Sequence, residues 1–220
     1  MFAESPGTPA EQIVQNYCSA SRDQGQSLDG SSMEVEIRAS LPKLKKNGRL
    51  HALRRISRLG RITYEHLAFE GDGAIKNQVI ARYLESEIEA QREASPKVAV
   101  TPENYKFKFD GRSELDGREV YEFSVKPRAK RAGLFRGSIW IDSETYLRVQ
   151  ESGYLVKNPS IFLKRVAFTR TYAIQDGIPV PRQLASVVDT RLWGPAQLEI
   201  DYSNFSVDTT EPAVAARSGE

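Results

Sequence analysis

The residues of this chain with chemistry to offer are two histidines, one cysteine, a run of glutamates and a run of cations. His51 and His66 lie in strand-patterned sequence with no partner at metal-ligand spacing, and tetrahedral zinc needs more nitrogen and sulfur ligands than these two supply. Cys18 falls on the apolar side of a helical pattern, where a thiol is a buried small hydrophobe rather than an activated nucleophile. As the single cysteine it can form no internal disulfide. Glu85, Glu87, Glu89 and Glu93 read as the wet face of a helix, whereas a working acid and base need surroundings that separate their pKa values. No Gly-x-Ser-x-Gly elbow, P-loop or Gly-x-Gly-x-x-Gly turn is present. The chain is therefore expected not to be an enzyme and to carry no cofactor and no metal.

The strongest charge feature holds Lys43, Lys45, Lys46, Arg49, Arg54, Arg55, Arg58 and Arg61 with no acid among them. A smaller group is Lys126, Arg128, Lys130, Arg131 and Arg136. Cations along a sheet edge deter strand addition. The sharper reading is a docking surface for an anionic lipid surface or for the acidic patch of a membrane-associated protein partner. Nucleic acid is not expected, because the net charge is only +2 and the region has few aromatics for base stacking.

The elements that must position these groups are mostly strands. From Tyr105 to Phe205, segments such as Tyr105–Phe109, Tyr121–Val125, Leu147–Gln150, Val166–Tyr172 and Leu198–Tyr202 alternate apolar and polar residues. Short turn-formers link them: Asp116-Gly117, Asp142-Ser143-Glu144, Asn158-Pro159, Asp176-Gly177 and Gly194-Pro195. Links this short favour antiparallel neighbours. Three more strands follow from Met33–Leu41, Leu50–Leu59 and Arg61–Phe69, with Asn47-Gly48 as a hairpin turn and Gly60 as a bend.

Two amphipathic helices complete the pattern. Thr8-Pro9-Ala10-Glu11 has a capping hydroxyl three residues before a glutamate and proline at the first helical position; Ile13, Val14, Tyr17 and Cys18 then form an apolar face. Between strand blocks, Val79, Ile80, Tyr83, Leu84 and Ile88 recur at helical spacing over residues 75 to 93. The order is helix, three strands, helix, seven strands.

A hydrophobic content of 40% is enough for a core in one domain over residues 1–208, with a disordered tail at 209–220. No apolar run reaches the roughly 20 residues of a membrane span. Met1 to Pro9 is too short and polar for a secretory signal, so Met1 is expected to replace a removed leader. Gln15-Asn16-Tyr17 makes Cys18 a poor lipoprotein anchor. So many strands with native twist should curl, which gives a mainly β (α+β) fold: a strongly curved antiparallel sheet with the helices over its concave face.

By alternation that face carries Val35, Ile37, Ala39 and Leu41 early in the chain; Phe107, Phe109, Tyr121 and Phe123 next; then Ile139, Ile141, Leu147 and Val149; and last Val166, Phe168, Leu198 and Ile200. Periodicity alone leaves a filled core and a ligand cavity both open.

One stretch resembles a known family. Leu134-Phe135-Arg136-Gly137-Ser138-Ile139-Trp140-Ile141-Asp142, then a turn and Leu147-Arg148-Val149, is similar to a hairpin of outer-membrane lipoprotein-sorting proteins, the relatives of the periplasmic carrier LolA and receptor LolB. Leu115–Tyr121 and Val125-Lys126-Pro127 upstream, and Phe168–Tyr172, Gly177–Pro181 and Leu198–Asn204 downstream, resemble its other strands in order. The resemblance implies a half-open β-barrel whose apolar cavity holds acyl chains, lined by the face above and lidded by Val79, Ile80, Tyr83, Leu84 and Ile88. It implies a non-enzymatic carrier of a lipid, fatty acid or acylated lipoprotein in the periplasm, expected to be a monomer. The alternative is a sensory or envelope-assembly module of the same fold that acts through the basic patch. Family carriers also use an arginine to tie sheet to lid; Arg38 lies in the early strand region without being assigned that role.

Overall fold

Period-two alternation dominates the chain, and nearly every such stretch is a strand. A computed structural model describes residues 8–23, 28–92, 96–158, 163–191 and 194–207. The strands are β1 (Ser31–Leu41), β2 (Lys46–Ile56), β3 (Ile62–Gly71), β4 (Tyr105–Leu115), β5 (Arg118–Pro127), β6 (Phe135–Asp142), β7 (Arg148–Leu155), β8 (Leu163–Gln175), β9 (Ile178–Thr190) and β10 (Pro195–Val207). They form one ten-stranded sheet in the order β3-β2-β1-β10-β9-β8-β7-β6-β5-β4. Each pairing is antiparallel. The sheet is curved and unclosed, a half-open barrel with β3 and β4 as its edges. The expected order of helix, three strands, helix and seven strands is the observed one.

Helix α1 (Pro9–Asp23) starts with the expected reciprocal cap: the Thr8 backbone N–H donates to Glu11 Oε2 at 2.7 Å, and the Glu11 N–H donates to Thr8 Oγ1 at 3.3 Å. The second helical stretch begins two residues earlier than its apolar period suggests. Asp72 Oδ1 accepts from the Ala74 N–H at 2.7 Å, which caps α2 (Gly73–Ile75). A π-helical turn (Lys76–Ile80) leads directly into α3 (Ala81–Arg92).

Asn47-Gly48 is not a turn. The chain reverses at Pro42–Leu44 with Lys45 in the left-handed region, and Gly48 lies inside β2 opposite Ala39 and Gly71. The reason is packing: a Cβ on Gly48 would stand 2.9 Å from both Ile75 Cγ2 and the Phe69 ring. Glycine there lets α2 settle on the sheet. Asp116-Gly117 and Asp176-Gly177 do form the expected turns, with both φ angles positive in each pair.

Each helical stretch covers one flank of the concave face. Ile75, Ile80, Val79, Tyr83, Leu84 and Ile88 pack over β1, β2 and β10 against Val35, Ile37, Ala39 and Ile200. Helix α1 packs Val14, Tyr17 and Cys18 over β4, β5 and β6, against Phe123, Val125 and Ile139. Phe168 on β8 touches both cores. The expected tail beyond Asp208 lies outside the described residues.

Candidate functional site

Between the two covered flanks a cavity of about 1690 Å³ opens, lined by residues of β7 to β10. Register explains its floor. Gly153, Phe168, Ser186, Leu198 and Ala39 lie side by side across five strands, and Val166, Val188 and Ala196 form the adjacent row. Small residues in these rows leave depth. Gln78, Val79, Arg82, Tyr83, Glu85, Ser86 and Glu89 form one wall, and residues 97–101 with Asn104 form the other. Val166, Phe168 and Val188 are only half-buried although they lie mid-sheet on the inner face.

Close backbone approach shapes the β6–β7 side. A Cβ on Gly137 would fall 1.9 Å from the Ser152 carbonyl oxygen, and one on Gly153 would fall 2.3 Å from that of Arg136. The Phe168 ring sits opposite Gly153 and meets Phe135 edge-on, with centroids 5.3 Å apart.

One polar group interrupts the apolar floor. Arg148 Nη1 lies 2.7 Å from Glu151 Oε2, and Arg170 Nη1 lies 2.8 Å from Glu151 Oε1. The Tyr172 hydroxyl donates to the same Oε1 at 3.1 Å. Glu151 faces Arg170 directly across the β7–β8 ladder. Arg148 joins them because the β6–β7 register shifts after Trp140, so residues three apart share one face. Burial opposes ionisation of Glu151, but the two guanidiniums outweigh it and hold the carboxyl below its usual range. The resemblance rested on Leu147-Arg148-Val149 as a strand motif and gave no hint of this cluster.

A second buried ion pair joins α3 to the sheet. Arg54 Nη2 on β2 meets Glu87 Oε1 on α3 at 2.9 Å, and the Tyr64 hydroxyl donates to Glu87 Oε2. Arg54 Nη1 also lies 3.9 Å from Met33 Sδ, its neighbour on β1. The proposed surface role of Arg54 is thus corrected: it is 7% exposed and points inward. Its parity with Leu50, Ala52 and Ile56 was the available signal, since strand residues two apart share a face. Arg38 lies on the other face, bound to Glu36 at 3.0 Å and to Asp201 at 2.5 Å.

Of the expected lining residues, Leu41, Val166, Phe168 and Leu198 reach the cavity, joined by Val79 and Tyr83 of the lid. Val35, Ile37, Ala39 and Ile200 lie on the same face but beneath the lid, in the core with Ile80, Leu84 and Ile88. Phe107, Tyr121, Phe123, Ile139 and Ile141 belong to the α1 core. Leu147 and Val149 are buried outside the cavity lining, and Phe109 is exposed.

The basic run is neutralised in space by acids distant in sequence. Arg49 binds Glu70 at 2.8 Å, Arg55 binds Glu65 at 3.0 Å and Lys46 binds Asp72 at 3.2 Å. Lys43, Lys45, Arg58 and Arg61 are exposed. His51 Nε2 is 3.6 Å from Glu36, and among the described residues no group of three or more His, Cys, Asp or Glu could hold a metal ion. No described helix is long and apolar enough to cross a membrane.

No protein-family model matches the chain, and no curated protein sequence matches it. Solved structures are similar in fold. A DUF1329 family protein from Desulfovibrio piger is 14% identical with a TM-score of 0.47, covering 91% of this chain and 95% of that one. A LolA superfamily protein from Nitrosomonas europaea is 11% identical with a TM-score of 0.44, covering 93% and 96%. A domain described as an outer membrane lipoprotein-sorting protein, from Vibrio parahaemolyticus, is 15% identical with a TM-score of 0.45, covering 93% and 95%. The last two carry the description that the Trp140 hairpin suggested.

Proposed function

We propose that this protein is a non-enzymatic carrier that shelters the acyl chain of a lipid or an acylated lipoprotein in the cavity between α3 and strands β7 to β10. The observation that carries this reading is the half-burial of Val166, Phe168 and Val188 at the centre of the concave face, where a filled core would bury them. Apolar side chains that wet cost roughly 25 cal/mol per Å² relative to burial, and an acyl chain laid over them recovers about 0.8 kcal/mol per methylene. At about 1690 Å³ the space also exceeds the roughly 300–1,000 Å³ of ordinary small-ligand pockets. The cavity is only partly enclosed, which suits loading and release. Such a carrier works in the cell envelope, and the periplasm is the compartment that matches it.

Native mass spectrometry tests the reading. A lipid mass should travel with the purified protein, and the protein stripped by organic solvent should bind a fluorescent fatty-acid probe saturably. Protein that yields no lipid and binds no probe is not a carrier.

A further inference from the structure

Among the described residues, the floor of the cavity has one more positive charge than negative. Arg148 and Arg170 share the single carboxylate of Glu151, and both of its oxygens are already engaged. Tyr172 adds no charge, because burial pushes its pKa up and keeps it a neutral phenol. The Nε of Arg148 is buried and has no hydrogen-bond partner among the described residues. Exposed groups on the walls do not cancel the excess: Arg22, Arg82 and Lys97 are matched in number by Glu85, Glu89 and Glu103.

An acyl chain that fills the cavity shuts this surplus guanidinium away from water, which is costly without a counter-charge, since buried charges persist when paired. Its complement is an amphiphile with an apolar tail and one negative charge. We infer that the cavity takes a single-chain lipid head inward, a fatty-acid carboxylate resting on Arg148 and Arg170 while the acyl chain runs over Phe168, Val166 and Leu198. A planar carboxylate fits the guanidinium fork in a two-point bond, and its single charge balances the floor. A phosphate monoester, at about −1.5 to −2 near neutral pH, would overshoot it. This assignment rests on the carrier reading above.

The test uses the stripped protein at about pH 8, where a fatty acid is ionised, and displacement of a fluorescent apolar dye by palmitate, methyl palmitate and hexadecyl phosphate. Palmitate should bind about tenfold tighter than its methyl ester, or roughly 1.4 kcal/mol, and Arg170→Gln should close that gap. Hexadecyl phosphate should bind more weakly than palmitate. Equal binding of palmitate and ester in the unaltered protein overturns the head-inward assignment and leaves the carrier reading standing, because the ester still binds. Failure of all three to displace the dye sinks the carrier reading itself. Tighter binding of hexadecyl phosphate overturns the carboxylate assignment. Should Arg170→Gln not fold, the acid-to-ester ratio of the unaltered protein decides alone. Glu151→Gln gives a second check: by freeing both guanidiniums it should strengthen palmitate binding several-fold, and weaker binding counts against the proposal.

Discussion

Arg54 and Glu87 join α3 to the sheet through a buried contact of 2.9 Å, with Tyr64 closing the other carboxylate oxygen. Arg54 sits on β2 and Glu87 on α3, so the pair fastens the helical layer to the sheet beside the cavity. Burial opposes the charged form of Arg54, yet Glu87 more than compensates and keeps it protonated.

Removing one partner strands the other. Glu87→Ala is expected to cost about 3 kcal/mol, the low end for breaking a buried pair, because the Glu87 side chain keeps 20% of its exposure. Replacing both with apolar residues, Arg54→Met with Glu87→Leu, should recover most of that loss. Urea midpoints measure both. Hydrogen exchange in α3 should accelerate more in Glu87→Ala than exchange in β6 does; a uniform acceleration would show that the pair does not act as a local latch.

Gly137→Ala should be among the most damaging single substitutions. Its Cβ would meet backbone rather than a side chain that can turn away, so β6 and β7 must part. A loss of about 3 kcal/mol or more is expected, visible as a large drop in melting temperature.

The turn after β6 depends on Asp142. Its Oδ1 accepts from the Glu144 N–H at 3.2 Å, and from the Thr145 N–H and hydroxyl at 2.8 Å each. Asp142→Ala leaves these donors without their acceptor and should cost roughly 1–3 kcal/mol by chemical denaturation. Asp142→Asn keeps the acceptor oxygen and should cost less.

Acid should weaken the fold through Asp142 and Glu151. Burial disfavours ionisation of each, but hydrogen bonds from Thr145 at Asp142, and the charges of Arg148 and Arg170 at Glu151, hold both folded-state pKa values below normal. The unfolded chain therefore takes up these protons first as pH drops. The contribution is complete above the unfolded values of about 4 and is lost as pH falls through the lower folded ones. Urea midpoints measured downward from neutral pH should turn down below about pH 4 to 5, and the double variant Asp142→Asn with Glu151→Gln should turn down less.

Filling the cavity should separate stability from binding. Val166 lines the floor and is half-buried, so Val166→Trp can place its ring in the open space instead of straining a packed core. The melting temperature should hold or rise while probe affinity falls about tenfold, or roughly 1.4 kcal/mol. Undiminished probe binding would place the ligand elsewhere.

Sequence by itself determined the elements of this protein. Val35, Ile37, Ala39 and Leu41 alternate with polar residues, and the Thr8–Glu11 cap and the Asp-Gly turns act over a few residues, so local backbone preference suffices to reveal them. Tertiary structure alone decided what those elements enclose. The β6–β7 shift after Trp140 places Arg148 and Glu151 on one face, and strand pairing sets Arg49 opposite Glu70 and Arg55 diagonal to Glu65. Periodicity says which side of a strand is apolar, whereas register and the reach of a helix over a sheet depend on residues far apart in the chain. That is why Asn47-Gly48 looks like a turn and is a packing site, and why Arg54 looks like a surface charge and holds α3.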